Sequence, residues 1–147
     1  MEKFKIDNFS KESVGVPFPK FESLGSQECS DIRFQLCSRL SLPTDCTDVE
    51  LAFLVDSLQT NLSGASVEKG SFDLESVLVS IGVTVCNDVY VNWHHFKAID
   101  EMNVHDLSKH FFDVWYPCSD DIDIFDSSLS WILSIDHEGA IRVAAHF

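Results

Sequence analysis

Apolar positions along the chain change period several times, and each change marks an element. Thr47-Asp48-Val49-Glu50 is a capping-box pattern, in which the Thr oxygen and the Glu carboxylate satisfy amides of a first helical turn. Leu51, Leu54, Val55, Leu58 and Leu62 follow at helical spacing and Gly64 supplies a stop, which predicts one amphipathic helix over about 48–62. Phe72, Leu74, Val77, Leu78 and Ile81 predict a short helix closed by Gly82. Residues 28–42 carry both periods: Ile32, Phe34 and Leu36 alternate as in a strand, while Ile32, Leu36 and Leu40 suit a helix ending before Pro43, the reading favoured here.

From 83 to 93 the residues are β-branched and alternating, with Asn87-Asp88 where a tight turn tolerates positive φ. This predicts a hairpin, or one longer strand with a bulge. Residues 94–102 and 103–112 read as two short helical turns, the second capped by Asn103 and ended by Trp115-Tyr116-Pro117. Residues 118–128 form a polar, Asp-rich connection, and 129–135 and 140–145 form a second hairpin across His137-Glu138-Gly139. The first 27 residues predict an irregular N-terminal arm, because Val16-Pro17-Phe18-Pro19 cannot lie inside a helix or central strand. Helices first and short hairpin connections later predict an α+β single domain over 1–147, an antiparallel sheet with helices packed on one face.

Composition supports folding without staples. The 147 residues are 45% hydrophobic and 12% aromatic, too apolar for a disordered chain. Charge narrows the partners. The net of −14 disfavours nucleic acid and anionic membrane surfaces, and leaves acidic solvation or a basic protein partner. Residues 1–39 carry six acids and six bases, so the whole imbalance lies in 40–147. Between Lys109 and Arg142 no base interrupts seven acids. No apolar run suits a membrane span or secretion signal, which predicts a cytosolic protein. Five scattered cysteines without CxxC spacing predict reduced thiols that pack as small hydrophobes.

Candidate chemistry is thin. His94, His95, His105 and His110 lie near Asp106 and Asp113, but His105 and His110 are five apart and adjacent His94 and His95 would diverge on a strand. The run from Ser119 to Asp126 lacks the EF-hand Gly and Glu. Phosphate-loop, nucleophile-elbow and dinucleotide motifs are missing. No catalytic residue, metal or cofactor is therefore expected. A small metal-dependent hydrolase or ligand-binding domain using the His94–His110 region, and an acidic adaptor subunit, stand as alternatives.

Aromatic side chains adjoin the acids, and such a pairing suits an interface. Asp113, Trp115, Tyr116, Asp120, Asp121, Asp123 and Asp126 are the candidate partner-binding residues, with Trp115 and Tyr116 as anchors. The stretch Phe112-Asp113-Val114-Trp115-Tyr116-Pro117-Cys118-Ser119-Asp120-Asp121-Ile122-Asp123-Ile124-Phe125-Asp126, followed by Leu129-Ser130-Trp131-Ile132-Leu133-Ser134-Ile135-Asp136-His137-Glu138-Gly139, resembles the C-terminal signature of small bacterial immunity proteins of the polymorphic-toxin type. The resemblance covers roughly the last 60 residues. It implies an inhibitor that binds the toxic C-terminal domain of a contact-dependent growth-inhibition or secreted toxin, often a basic nuclease.

Overall fold

Every residue of the strand Trp131–Ile135 is buried, and a strand with no polar face must be covered on both sides. The computed structural model describes residues 1–43, 45–67, 72–84, 87–93 and 95–145, with the backbone alone at 63–65. In chain order its elements are α1 (Lys3–Glu12), β1 (Phe21–Ser23), α2 (Ser26–Arg39), α3 (Asp48–Leu58), β2 (Thr60–Ser66), α4 (Leu74–Ser80), β3 (Asp88–Asn92), β4 (Ile99–Asn103), α5 (Val104–Lys109), α6 (Phe111–Val114), β5 (Ile122–Phe125), β6 (Trp131–Ile135) and β7 (Ala140–Ala145). The strands form one antiparallel sheet in the order β1-β4-β3-β5-β6-β7-β2. The class is α+β, and the helices pack against the sheet.

They do so on both faces rather than on the expected one. Strand alternation sends Val89, Val91, Ile122, Ile124, Leu133, Ile135 and Ile141 to one side, against Leu74 and Leu78 of α4, Leu107 of α5 and Phe111 and Val114 of α6. Ile99, Phe125 and Ile132 point the other way, against Cys29, Ile32 and Leu36 of α2 and Leu51 and Val55 of α3.

Local signals placed several elements correctly. Thr47 accepts from the Glu50 amide at 3.2 Å and Glu50 accepts from the Thr47 amide at 2.7 Å, so the capping box starts α3. Asn103 caps α5 by accepting from the amides of His105 and Asp106. The hairpin β6–β7 turns at Gly139, whose φ of +84° and a backbone oxygen, Val67 O, 3.1 Å from any Cβ both demand glycine.

Other expectations fail. α3 stops at Leu58, because Gln59 turns extended and the chain continues directly as β2, so Leu62 and Gly64 lie on a strand. Residues 99–103 are β4, not a helical turn, and β3 pairs with it and with β5. Of the hairpin or single longer strand expected over 83–93, the described residues form β3, which takes both its neighbours from outside that stretch; residues 85 and 86 lie outside those described. β5 emerges from the supposed Asp-rich connection, since Ile122 and Ile124 alternate with Asp123. Within the supposed irregular arm, α1 and β1 form.

Candidate functional site

The seven residues expected to meet a partner are dispersed, and three are inaccessible. Asp126 is 1% exposed and closes its own turn, accepting from the amide and hydroxyl of Ser128. Trp115 is buried, stacks on Phe111 and donates Nε1–H to the Asp120 carbonyl at 2.9 Å. Asp120 is buried in an ion pair with Lys5, Nζ to Oδ2 2.5 Å. Half-buried Tyr116 lies edge-on to Phe4, 5.5 Å between centroids. Half-buried Asp113 accepts from His110, and exposed Asp121 pairs with His137. The aromatic and acidic patch thus already holds a basic segment, the chain's own α1. Lys5 lies 4.0 Å from the Trp93 ring and also donates to the Val114 carbonyl at 2.8 Å.

Of the seven, Asp120, Asp121 and Asp123 line one cavity, and Asp123 lies on the sheet at its floor. On the sheet face covered by α2 and α3, register brings Asn92, Asp123, Ser134, Arg142 and Asn61 into one row across β3, β5, β6, β7 and β2. Four members of this row are linked with one another or with α3 and its C-cap. Asn92 donates to Asp123 Oδ2 at 3.0 Å, the Ser134 hydroxyl donates to Oδ1 at 2.6 Å, and Gln59 donates to Ser134 at 2.6 Å. Arg142 pairs with Asp56 at 2.5 Å. Leu51 and Val55 of α3 form an apolar wall opposite, leaving a cavity of about 590 Å³ that opens past Asp48, Asp56, Asp121, Asp136 and His137. Such a volume is ordinary for a small recognition site.

Electrostatics set this carboxylate apart. Burial pushes the Asp123 pKa above the usual aspartate range, outweighing the hydrogen bonds from Ser134 and Asn92 and the charges of His95 and Arg142 that favour ionisation. Its hydrogen-bond partners among the described residues are both neutral. At the rim the pattern reverses. Burial opposes ionisation of Asp121, but hydrogen bonds from the His137 side chain and amide prevail and hold it below the usual range. The hydrogen bond to Asp121 in turn raises the His137 pKa.

The rim also stores strain. His95 and Phe96 follow β3 with φ of 48° and 66°, left-handed values that cost energy for a bulky residue such as Phe. Asn92 holds this turn by accepting from the Phe96 amide at 2.8 Å. One residue thus braces both the floor and the rim.

The histidines of the alternative reading, as far as they lie among the described residues, take separate partners. His105 pairs with Glu75, His110 with Asp113 and His137 with Asp121, and among the described residues no group of three potential ligands could hold a metal ion. His94 lies outside those residues. Among them, no helix is long and apolar enough to cross a membrane.

Asn92, Ser134, Arg142 and Asp56 escaped the sequence reading, which singled out His95 only as a member of a histidine cluster. The available signal was a lone polar residue inside each of the apolar strands Val89-Tyr90-Val91-Asn92, Trp131-Ile132-Leu133-Ser134-Ile135 and Ala140-Ile141-Arg142-Val143. Comparison of the chain with protein-family models, curated proteins and solved structures gave no match.

Proposed function

We propose that the protein is a cytosolic, non-enzymatic inhibitor of the immunity type. It binds the basic toxic domain of a contact-dependent or secreted toxin by admitting a lysine or arginine side chain of that domain into the cavity. The observation that carries this reading is Asp123, a carboxylate at the cavity floor whose charge is opposed by burial and whose hydrogen-bond partners are neutral. A cation seated there would add a charged partner in direct contact, beyond the more distant fields of His95 and Arg142, in a medium of low dielectric where a paired charge is favoured. Asp48, Asp56, Asp121 and Asp136 around the opening support the same sign of partner, and the net charge of −14 would speed its encounter. The resemblance of the C-terminal residues to immunity proteins supplies the class of partner.

Co-expression with a basic toxin domain encoded beside this gene tests the proposal, together with binding of the purified pair. Wild type should restore growth and associate more slowly as salt rises. Asp123→Asn should fold normally and dissociate at least about ten-fold faster. Failure of wild type to protect or bind, or an Asp123→Asn variant that binds like wild type, would overturn the reading.

A further inference from the structure

Away from the cavity floor, two thiols meet in the core. Cys37 lies in the last turn of α2 and Cys46 in the connection to α3, one residue before its cap Thr47. Their sulfurs are 3.1 Å apart, while the side chains are 0% and 7% exposed. A formed bond spans about 2.05 Å, so closure needs a movement of about 1 Å. The flanking backbone is already fixed: the Leu42 amide donates to the Cys37 carbonyl at 2.9 Å and the Cys46 amide to the Pro43 carbonyl at 3.1 Å. Arg33 donates through Nη2 to the Cys46 carbonyl, holds Nη2 3.8 Å from Cys46 Sγ, and donates Nε–H to Asp48 at 3.1 Å.

We propose that Cys37 and Cys46 are a reversible dithiol–disulfide pair, oxidised by low-molecular-weight disulfides such as oxidised glutathione. Cys46 is the entry point, because it has the greater exposure. Its thiolate attacks one sulfur of the glutathione disulfide, forming a mixed disulfide and releasing one glutathione thiolate. Cys37 then gives up its proton and attacks the Cys46 sulfur, releasing the second. Two protein thiols are oxidised, one glutathione disulfide is reduced to two thiols, and the protons lost by the protein end on glutathione. Burial first, and the hydrogen bond to Cys46 next, push Cys37 up to about 11, so it rests as a thiol until its neighbour is derivatised.

The product closes a short loop and fixes the entry to α3, which carries Asp48 and one wall of the cavity. The inference is independent of the partner proposed above. After incubation with oxidised glutathione and alkylation in denaturant, trypsin should yield residues 34–39 linked to residues 40–69, and reduction should separate them. The melting temperature should rise by roughly 5–10 °C on oxidation, the size expected for a loop of this length, and neither change should occur in Cys46→Ser or Cys46→Ala. Recovery of both thiols alkylated across the full range of glutathione redox ratios would overturn the proposal. So would a stable Cys46–glutathione adduct with Cys37 free, or a bond from either to a different cysteine.

Discussion

Removing the Lys5 ammonium would leave the buried Asp120 carboxylate without its cation, and the Val114 carbonyl would lose a donor. An uncompensated buried charge of this kind typically costs about 3–5 kcal/mol. Lys5→Ala should therefore lower the urea midpoint severely, whereas Lys5→Met combined with Asp120→Asn should recover most of the loss, since it removes both charges and retains an acceptor for the Tyr116 amide. Asp123 carries the opposite sign. Its folded pKa is raised by burial while the unfolded chain keeps the ordinary value near 3.9, so within that window the native state binds the extra proton. Stability falls as pH rises through the window, and the full cost remains above it. Asp123→Asn should remove that cost, the Ser134 hydroxyl reversing to accept from the new amide while the Gln59 amide turns to accept from Ser134. The variant should gain about 1 kcal/mol over wild type at neutral pH and converge with it below about pH 4. Urea unfolding at the two pH values measures both, and a variant that is less stable at neutral pH would contradict the assignment.

At the scale of elements, the cap of α3 is a local device that sequence reports directly. Thr47→Ala removes the acceptor of the Glu50 amide and should cost about 1 kcal/mol in global unfolding. Asn103, Gly139 and the β6–β7 hairpin were legible for the same reason, since each depends on a few neighbouring residues. α1 was not legible, because its deepest contact is made by Lys5, a charge that hydropathy counts as solvent-facing. β5 was hidden by Asp120, Asp121, Asp123 and Asp126, whose density masked the alternation of Ile122 and Ile124. The end of α3 was missed because Leu58 and Leu62 preserve helical spacing across Gln59, where ψ swings to 145°. The site was the least legible part. Asn92, Asp123, Ser134 and Arg142 come together only through strand register, and register between segments distant in sequence is fixed by the packed sheet.

For the molecule as a whole, the surplus of carboxylates has two consequences with opposite responses to salt. Raising NaCl from 0.1 to 1 M shortens the screening length from about 10 Å to about 3 Å. Self-repulsion among acids, such as the cross-strand neighbours Glu22, exposed on β1, and Glu101, half-buried on β4, is then reduced. The buried Lys5–Asp120 pair is screened far less. Net screening should stabilise the fold, by a few degrees in melting temperature if the relief is about 1 kcal/mol. Capture of a basic partner should become slower over the same range, because steering depends on the same field. A control separates charge from any general effect of salt on burial. Near pH 4.5, where the sequence pI places the net charge close to zero, the rise in melting temperature should largely vanish. If it persists there undiminished, the stabilisation comes from burial and not from relief of repulsion, and the acidity of residues 40–147 would then serve encounter with a partner at little cost to the fold.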